Sequence, residues 1–113
     1  MPFIDARFAG KVSSDKKAIL KSEFGMLIGT LNKPESYLMI QMQDNCELWF
    51  GGEQLEKGAY LAISLFGSAS SDAYSRLTTQ LSSLLEKELD IPKDRIYITY
   101  HPVAVWGWNG RNF

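Results

Sequence analysis

The chain has 113 residues, of which 45% are apolar and 22% are charged, and its formal net charge at pH 7 is −1. This length and composition predict one globular domain with a core of its own. The balanced charge argues against a nucleic-acid partner held by phosphate neutralisation, and no stretch approaches the roughly 20 apolar residues of a membrane span, so we expect neither kind of partner.

The first half of the chain has the pattern strand, helix, strand. A strand-like run, FIDARFAG over 3–10, ends in glycine and is followed by SSDKKAIL, which begins at Ser13. Serine and aspartate favour the N-cap of a helix, and the apolar residues that follow repeat at helical spacing: Leu20, Phe24, Leu27 and Ile28. Pro34 is expected near the end of this helix, and a β-rich run, YLMIQMQ, begins at Tyr37.

The second half repeats this pattern 57 residues later, with SSDAYSRL beginning at Ser70. YLAISLFG over 60–67 is strand-like, and Pro92 precedes a β-rich run, RIYITY, that begins at Arg95. The apolar residues of the predicted helix again have the spacing i, i+4, i+7, i+8: Leu77, Leu81, Leu84 and Leu85. We therefore predict a single domain, 1–113, with pseudo-repeats at about 2–45 and 59–102 and a tail at 103–113.

The repeat predicts the fold class. Each half is one β-α-β unit, whose two strands are parallel and whose crossover is right-handed. Two such units side by side give an α/β (α+β) fold with a four-stranded mixed sheet and two helices on one face. Parallel strands are usually covered on both faces, and the strand-like runs look apolar on both sides, so we expect copies of the same chain to cover the second face.

Two segments lie outside the repeats. ELWFGGEQLEKG, over 47–58, predicts a short strand, a Gly-Gly turn and a loop. The tail contains Asn109-Gly110, the strongest short signal for a hairpin turn. Because this tail is rich in aromatic residues, we expect it to pack on a neighbour or to rim a pocket.

Single cysteine and histidine residues limit the chemistry. Cys46 alone can form neither an intrachain disulfide nor a thiolate metal cluster. His101 follows a predicted strand and precedes a proline, so we expect a solvated loop residue. Asp5 and Arg7 interrupt the first residues before any apolar run develops, so we expect no secretory signal.

The second residue is a proline, and methionine before so small a residue is usually removed by aminopeptidases. A proline at a free terminus is a rigid secondary amine and therefore a base, whereas a proline inside a chain has no basicity. The sequence alone leaves open whether Pro2 is an accident of processing or a catalytic residue.

Five short motifs, in order and over nearly the whole chain, resemble the macrophage migration inhibitory factor and D-dopachrome tautomerase family. They are MPF at 1–3, KPESYLM at 33–39, FGG at 50–52, DRIYI at 94–98 and GWNG at 107–110. The resemblance implies the fold predicted above, assembled as a homotrimer. It also implies keto–enol tautomerisation of small aromatic α-keto acids such as phenylpyruvate, or of D-dopachrome analogues, without a metal or organic cofactor.

The resemblance also assigns site residues. Pro2 falls on the catalytic base, and Lys33 on the lysine that receives the substrate carboxylate. Main-chain groups at Leu65 and Phe66 fall where the family contacts that carboxylate. The remaining matches are Tyr97, which a neighbouring subunit would supply, and Tyr37 and Trp108, at the pocket mouth.

The local reading of two residues leaves alternatives open. Lys33 could instead be a solvated lysine that offsets a helix dipole. Tyr97 could be a strand aromatic with no role in the site.

The chain departs from the family at several positions. The segment Gly58–Leu61 stands where the cytokine has a CxxC motif, so we expect no thiol oxidoreductase activity. Thr99 replaces a pocket asparagine. Trp106 and Phe66 replace smaller apolar residues, and this should narrow the site or favour an aromatic substrate. Arg111 is expected to be a surface charge.

Two other functions remain open. The chain could be a cytokine-like protein that binds a host receptor, released from the cytoplasm by an unconventional route, with vestigial catalysis. It could also hydrate, dehalogenate or decarboxylate unsaturated acids, as other amino-terminal-proline enzymes do. That chemistry usually needs further arginines and a carboxylate that activates water, and no such carboxylate can be assigned near Pro2.

Overall fold

The computed structural model describes all 113 residues and contains two helices and eight strands. The elements, in chain order, are β1 (Pro2–Ala9), α1 (Ser14–Leu27), β2 (Met39–Gln43), β3 (Trp49–Phe50), β4 (Glu53–Gln54), β5 (Gly58–Phe66), α2 (Ser71–Leu89), β6 (Ile96–Val103), β7 (Gly107–Trp108) and β8 (Arg111–Asn112). Short 3₁₀ turns lie at Ile28–Leu31, Glu35–Tyr37 and Lys93–Arg95. Tyr37, predicted to open a strand, therefore lies in a turn, because β2 begins two residues later.

Both helices begin where the sequence predicts. The side-chain oxygen of Ser13 accepts a hydrogen bond from the backbone N–H of Lys16, and that of Ser70 accepts one from Ala73. These caps satisfy amide groups that the first helical turn leaves without a partner. α1 ends well before Pro34, in the 3₁₀ turn Ile28–Leu31, whereas α2 continues to Leu89.

One mixed sheet of four strands, in the order β2–β1–β5–β6, forms the centre of the fold. The outer pairs, β1 with β2 and β5 with β6, are parallel, and the central pair, β1 with β5, is antiparallel. Each parallel pair is one β-α-β unit, and the two units meet at the centre, where Pro2 is paired with Leu65. The predicted fold class is confirmed.

The core lies between the helices and one face of the sheet. Alternate residues of β1 and β5 point towards it, as a strand requires. It contains the predicted helical positions Leu20, Phe24, Ile28, Leu77, Leu81 and Leu85 and the strand residues Ile4, Ala6, Phe8, Leu61, Ile63 and Leu65. Leu27 and Leu84 are only partly buried at its edge.

The second face of the sheet has no helix on it, and it is more polar than the sequence suggested. Its residues include Asp5, Arg7, Gln41, Gln43, Ser64, Thr99 and His101, beside Phe3, Tyr60 and Ala62. The prediction that both sides of these strands are apolar is therefore wrong for this face. Any neighbour that covers it would meet a mixed surface.

Two further predictions need correction. His101 lies within β6 rather than in a loop, although its side chain is exposed. The segment 47–58 contains two short strands, β3 and β4, joined at Gly51-Gly52, so it is a hairpin rather than a strand and a loop. The tail hairpin, β7 and β8, forms as predicted, and no helix is long and apolar enough to cross a membrane.

Candidate active site

Pro2 lies at one end of the central strand pair, next to a cavity. It is the first residue of β1, it is buried, and its register partner is Leu65 near the end of β5. A cavity of about 710 Å³ opens beside it. The cavity wall is mostly apolar and includes Phe3, Tyr37, Met39, Val103, Val105, Trp106 and Trp108, with Ser36 and Ser64 as polar members.

Lys33 is directed towards this end of the sheet by the turn before it. Asn32 adopts a left-handed conformation, φ 58°, and ends the 3₁₀ turn that follows α1. The Lys33 ammonium then donates a hydrogen bond of 2.9 Å to the carbonyl oxygen of Phe66, the last residue of β5. An ammonium has three N–H donors, and this bond uses one. Lys33 can therefore offer the others to an anion.

Phe66 contributes its main chain as well as its ring. Its N–H donates to the carbonyl oxygen of Met1, at 3.0 Å, just beyond the Pro2–Leu65 pair. The side chain of Leu65, by contrast, is fully buried in the core. Of these two predicted residues, Leu65 can therefore reach the site only through its backbone.

The tail brings aromatic rings to the mouth of the cavity. Asn109 and Gly110 both have positive φ, 53° and 79°, which is the geometry of the two-residue turn that joins β7 and β8. The Trp108 ring meets Tyr37 edge-on at 5.4 Å between centroids and stacks near Phe113 at 6.3 Å. These two cavity residues, Tyr37 and Trp108, lie where the sequence placed them.

Phe113 continues this row of rings to the end of β5. Its ring lies 5.9 Å from that of Phe66, and its N–H donates to the carbonyl oxygen of Trp106. The larger side chain at Trp106 lines the cavity, whereas the Phe66 ring packs against Phe113 beside it.

Charge and burial act together at the amino terminus. Burial first, and then the positive charge of Lys33, lower the pKa of the Met1 amine below its ordinary value. Both effects disfavour a second cation at this place. An amine here would therefore be neutral, and able to accept a proton, at lower pH than an amine in water.

Tyr97 does not reach this site within one chain. It pairs with Tyr60, which pairs with Arg7, five residues along β1 from Pro2. Five residues of strand span about 16 Å. The side chain of Tyr97 is 63% exposed, and its ring contacts Phe50 at 5.5 Å between centroids.

Thr99 is also outside the cavity of its own chain. Its hydroxyl forms hydrogen bonds with the Tyr60 hydroxyl, at 2.9 Å, and with Nε2 of His101, at 2.8 Å. These three side chains form one polar row on the open face of the sheet. No group of three or more His, Cys, Asp or Glu side chains is arranged to hold a metal ion.

Five cavity residues were not among the predicted ones: Ser36, Met39, Ser64, Val103 and Val105. Strand alternation could have identified Ser64, because it lies two residues before Phe66 on the same face of β5. Met39 enters through its parallel pairing with Phe3, and this register is not visible in the sequence.

Comparison with known proteins gives a consistent picture. A family model described as "Macrophage migration inhibitory factor (MIF)" matches residues 1–113. The chain is 30% identical over 110 residues to a macrophage migration inhibitory factor homolog of Trichuris trichiura, with 94% of this chain and 96% of the relative covered. A homolog from Brugia malayi is 29% identical over 103 residues, which is 89% of each chain.

Solved structures agree. The crystal structure of Leishmania major MIF2 is 30% identical, with a TM-score of 0.92 and coverage of 100% of this chain and 97% of that one. The homologue from Prochlorococcus marinus is 28% identical, with a TM-score of 0.86 and 98% of each chain covered. At 14% identity and a TM-score of 0.80, the structure of Pt0534 inactivated by 2-oxo-3-pentynoate shares the fold over 96% of this chain and 93% of that one.

Proposed function

Because the chain belongs to the macrophage migration inhibitory factor family, we propose that it is a cofactor-independent keto–enol tautomerase of phenylpyruvate-like α-keto acids. D-dopachrome analogues are a further substrate class for the same site. Pro2 is the general base in this proposal, once Met1 has been removed. The tautomerase superfamily to which the family belongs includes isomerases, so the reaction class agrees with the fold.

The observation that carries this proposal is the convergence of three groups at one end of the sheet. Pro2 is buried beside the cavity, Lys33 is hydrogen-bonded to the carbonyl oxygen of Phe66, and the Phe66 N–H points at the residue before Pro2. A base, a cation and a main-chain donor are therefore within one or two residues of each other. An α-keto acid needs these groups for its C–H bond, its carboxylate and its carbonyl oxygen.

The reaction follows from this arrangement. The Pro2 nitrogen takes a proton from the carbon next to the ketone, and the electron pair of that C–H bond moves to give an enolate. The enolate oxygen then receives a proton, from the prolyl ammonium or from water, and the enol leaves. Lys33 and the Phe66 N–H hold the carboxylate, so that the C–H bond is presented to the base. Such positioning of a proton acceptor contributes about 10²–10⁴-fold to rate.

The environment of the base suits this chemistry. A general base is most effective when its pKa lies near the working pH. An ordinary α-amino group has a pKa near about 8, and the amine at this end of the sheet has a lower pKa because of burial and of Lys33. Pro2 would occupy the same surroundings after Met1 is removed.

The cavity walls favour an aromatic substrate. Trp106 and Trp108 lie on one side and Phe3 on another, and a phenyl ring can stack or meet edge-on with such side chains. Trp108 is already in edge contact with Tyr37. A narrow, aromatic-lined cavity selects phenylpyruvate over a short aliphatic keto acid.

The assembled protein in this proposal is a homotrimer. The open face of the sheet has no cover within one chain, and Tyr97 lies far from Pro2 of its own chain. A neighbouring subunit that covers this face would supply Tyr97 to the site. The receptor-binding alternative stays a prediction, since no surface of the chain specifically favours it.

The decisive experiment is phenylpyruvate turnover by protein whose intact mass shows that it begins at Pro2. We expect enol formation, followed by ultraviolet absorbance. In the variant Pro2→Gly, which keeps a terminal amine but loses the rigid ring, kcat/KM should fall about 100-fold or more. Equal turnover by the two proteins would refute Pro2 as the base.

A further inference from the structure

The main chain of Met1 occupies the anion end of the cavity. The Met1 carbonyl oxygen accepts the Phe66 N–H at 3.0 Å, and Lys33 binds the carbonyl oxygen of that same residue at 2.9 Å. Met1 also forms part of the cavity wall, with Pro2 and Trp106. Met1 is therefore seated inside the site rather than extending from it.

The Phe66 N–H is a donor without another use in the fold. The β1–β5 ladder ends at Pro2 and Leu65, one residue earlier on β5. Phe66 forms its bond to Met1 beyond that end. When Met1 is absent this N–H needs another acceptor, and a carboxylate is a stronger acceptor than a neutral carbonyl group. The carbonyl oxygen of Met1 thus stands where an oxygen of the substrate carboxylate would bind.

We propose that Met1 is an autoinhibitory residue, whose carbonyl group fills the carboxylate subsite while its acyl bond removes the basicity of Pro2. Removal of Met1 then creates two functions in one step, a base and an empty anion subsite. This inference rests on the proposed function for the identity of the subsite. It goes further in stating that the longer chain fails to bind substrate, as well as failing to convert it.

The activating step is hydrolysis of the Met1–Pro2 peptide bond by a methionine aminopeptidase. Water adds its oxygen to the Met1 carbonyl carbon, and the C–N bond breaks. The prolyl nitrogen takes a proton and becomes a secondary amine, and free methionine leaves with its carboxylate. The Phe66 N–H and the Lys33 ammonium then both face the vacated place.

Three forms of the chain separate the two effects. They are the chain from Met1, the chain from Pro2, and the chain from N-methyl-Pro2, which has an extra carbon on the nitrogen but no carbonyl group. Cys46 is the only cysteine, so each form can be assembled by ligating a synthetic segment that ends at residue 45 to the constant segment 46–113. The binding probe is 3-phenylpropionate, an aromatic carboxylate with no ketone to react.

We expect the Pro2 and N-methyl-Pro2 forms to bind 3-phenylpropionate with dissociation constants that agree within about threefold. The Met1 form should bind it at least about 30-fold more weakly, because it lacks one charge-assisted hydrogen bond and the space for the carboxylate. Equal binding by the Met1 and Pro2 forms would overturn the inference.

Amide hydrogen exchange gives a readout that needs no ligand. In protein labelled with ¹⁵N at phenylalanine, the Phe66 amide should exchange slowly in the Met1 form and faster in the other two forms. Equal exchange rates in all three would show that the Met1 contact is not made, and would also overturn the inference. If the Pro2 form binds the probe and differs in exchange but does not turn over phenylpyruvate, the proposed function fails while the autoinhibitory contact stands.

Discussion

The two ends of the central strand pair have the same local fold but different chemistry. In sequence, β1 and β5 are related by an offset of 57, so that Pro2 corresponds to Ala59 and Phe66 to Ala9. After the helices the offset is 58, and Asn32 corresponds to Asp90, with both in the left-handed conformation at φ 58° and 55°. A 3₁₀ turn and a parallel strand follow in each half. Each end also has a cavity, of about 710 Å³ beside Pro2 and about 390 Å³ beside Ala9 and Gly10.

Two differences separate these ends. The residue after the left-handed turn is Lys33 in the first half and Ile91 in the second, where it is only 2% exposed and belongs to the core. The residue that opens the strand is Pro2 at the beginning of the chain, whereas Ala59 is preceded by Gly58 within β5. The fold therefore supplies two similar clefts, and a cation and a chain terminus make one of them reactive.

The largest effect is expected when the cation is moved to the other end. Ile91→Lys puts an ammonium among buried leucines with no carboxylate arranged to pair with it, and it should lower the free energy of unfolding by about 3–5 kcal/mol. Chemical denaturation measures this directly. The matched control is Ile91→Val, which should cost about 1 kcal/mol. If Ile91→Lys cost no more than Ile91→Val, the two positions would be less different than the structure shows.

The reciprocal change removes the cation from the reactive end. Lys33→Ile should lower kcat/KM for phenylpyruvate about 10–150-fold, because a hydrogen bond to a charged group contributes about 1.5–3 kcal/mol. Steady-state kinetics on chains that begin at Pro2 measure the loss. The stability of the variant should change little, since its new residue is the one that the second half tolerates in the same turn.

Lys57 offers a matched control for this variant. It lines the second cavity, and its ammonium also donates to a carbonyl oxygen, that of Leu89, at 3.0 Å. Lys57→Ile therefore removes the same kind of bond at the other end and should leave kcat/KM within about twofold. A comparable loss in both variants would mean that a structural effect, and not carboxylate binding, explains the Lys33 result.

Local signals in the sequence predicted the elements well. The caps at Ser13 and Ser70 and the Asn109-Gly110 turn were predictable because each depends on neighbouring residues alone. His101 was misplaced because a proline follows it. β6 is an edge strand, and an edge strand tolerates Pro102, whose missing N–H would have faced solvent.

The site was predictable only in part, because most of it depends on strand register. Lys33 and Pro2 were assigned through a family resemblance, since neither residue is distinctive on its own. Ser64 and Met39 enter the cavity through pairing with Phe3, which no local pattern encodes. The polar open face was missed for the same reason, as its character depends on which side of each strand meets the helices.

A mixing experiment tests the proposed contribution of Tyr97 from a neighbouring subunit. Tyr97→Ala alone should lower kcat/KM about 2–10-fold, which is the effect of losing one hydrogen bond. When this variant is unfolded and refolded together with Pro2→Gly, some sites would combine an intact Pro2 with an intact Tyr97. Turnover should then exceed the sum of the two separate preparations. A sum without excess would place Tyr97 outside the site, or within its own chain only.

The smallest expected effect is a change in pH dependence. The amine at the reactive end has a lowered pKa, caused first by burial and then by Lys33. A base acts when neutral, so turnover by the chain that begins at Pro2 should be present above this pKa and lost as the pH falls through it. Because the pKa is lowered, turnover should persist to lower pH than an ordinary α-amino group would allow.

Substitution of Lys33 separates the two causes. Lys33→Met removes the nearby charge but keeps most of the apolar stem, so burial, the larger cause, remains. The midpoint of the profile of kcat/KM against pH should therefore move upward, yet stay below the value for an ordinary α-amino group. A midpoint that does not move would mean that burial alone sets the pKa, and a downward movement would contradict the proximity of Lys33 to the base. The reactive end would in either case owe its base to something other than the cation that distinguishes it from the end at Ile91.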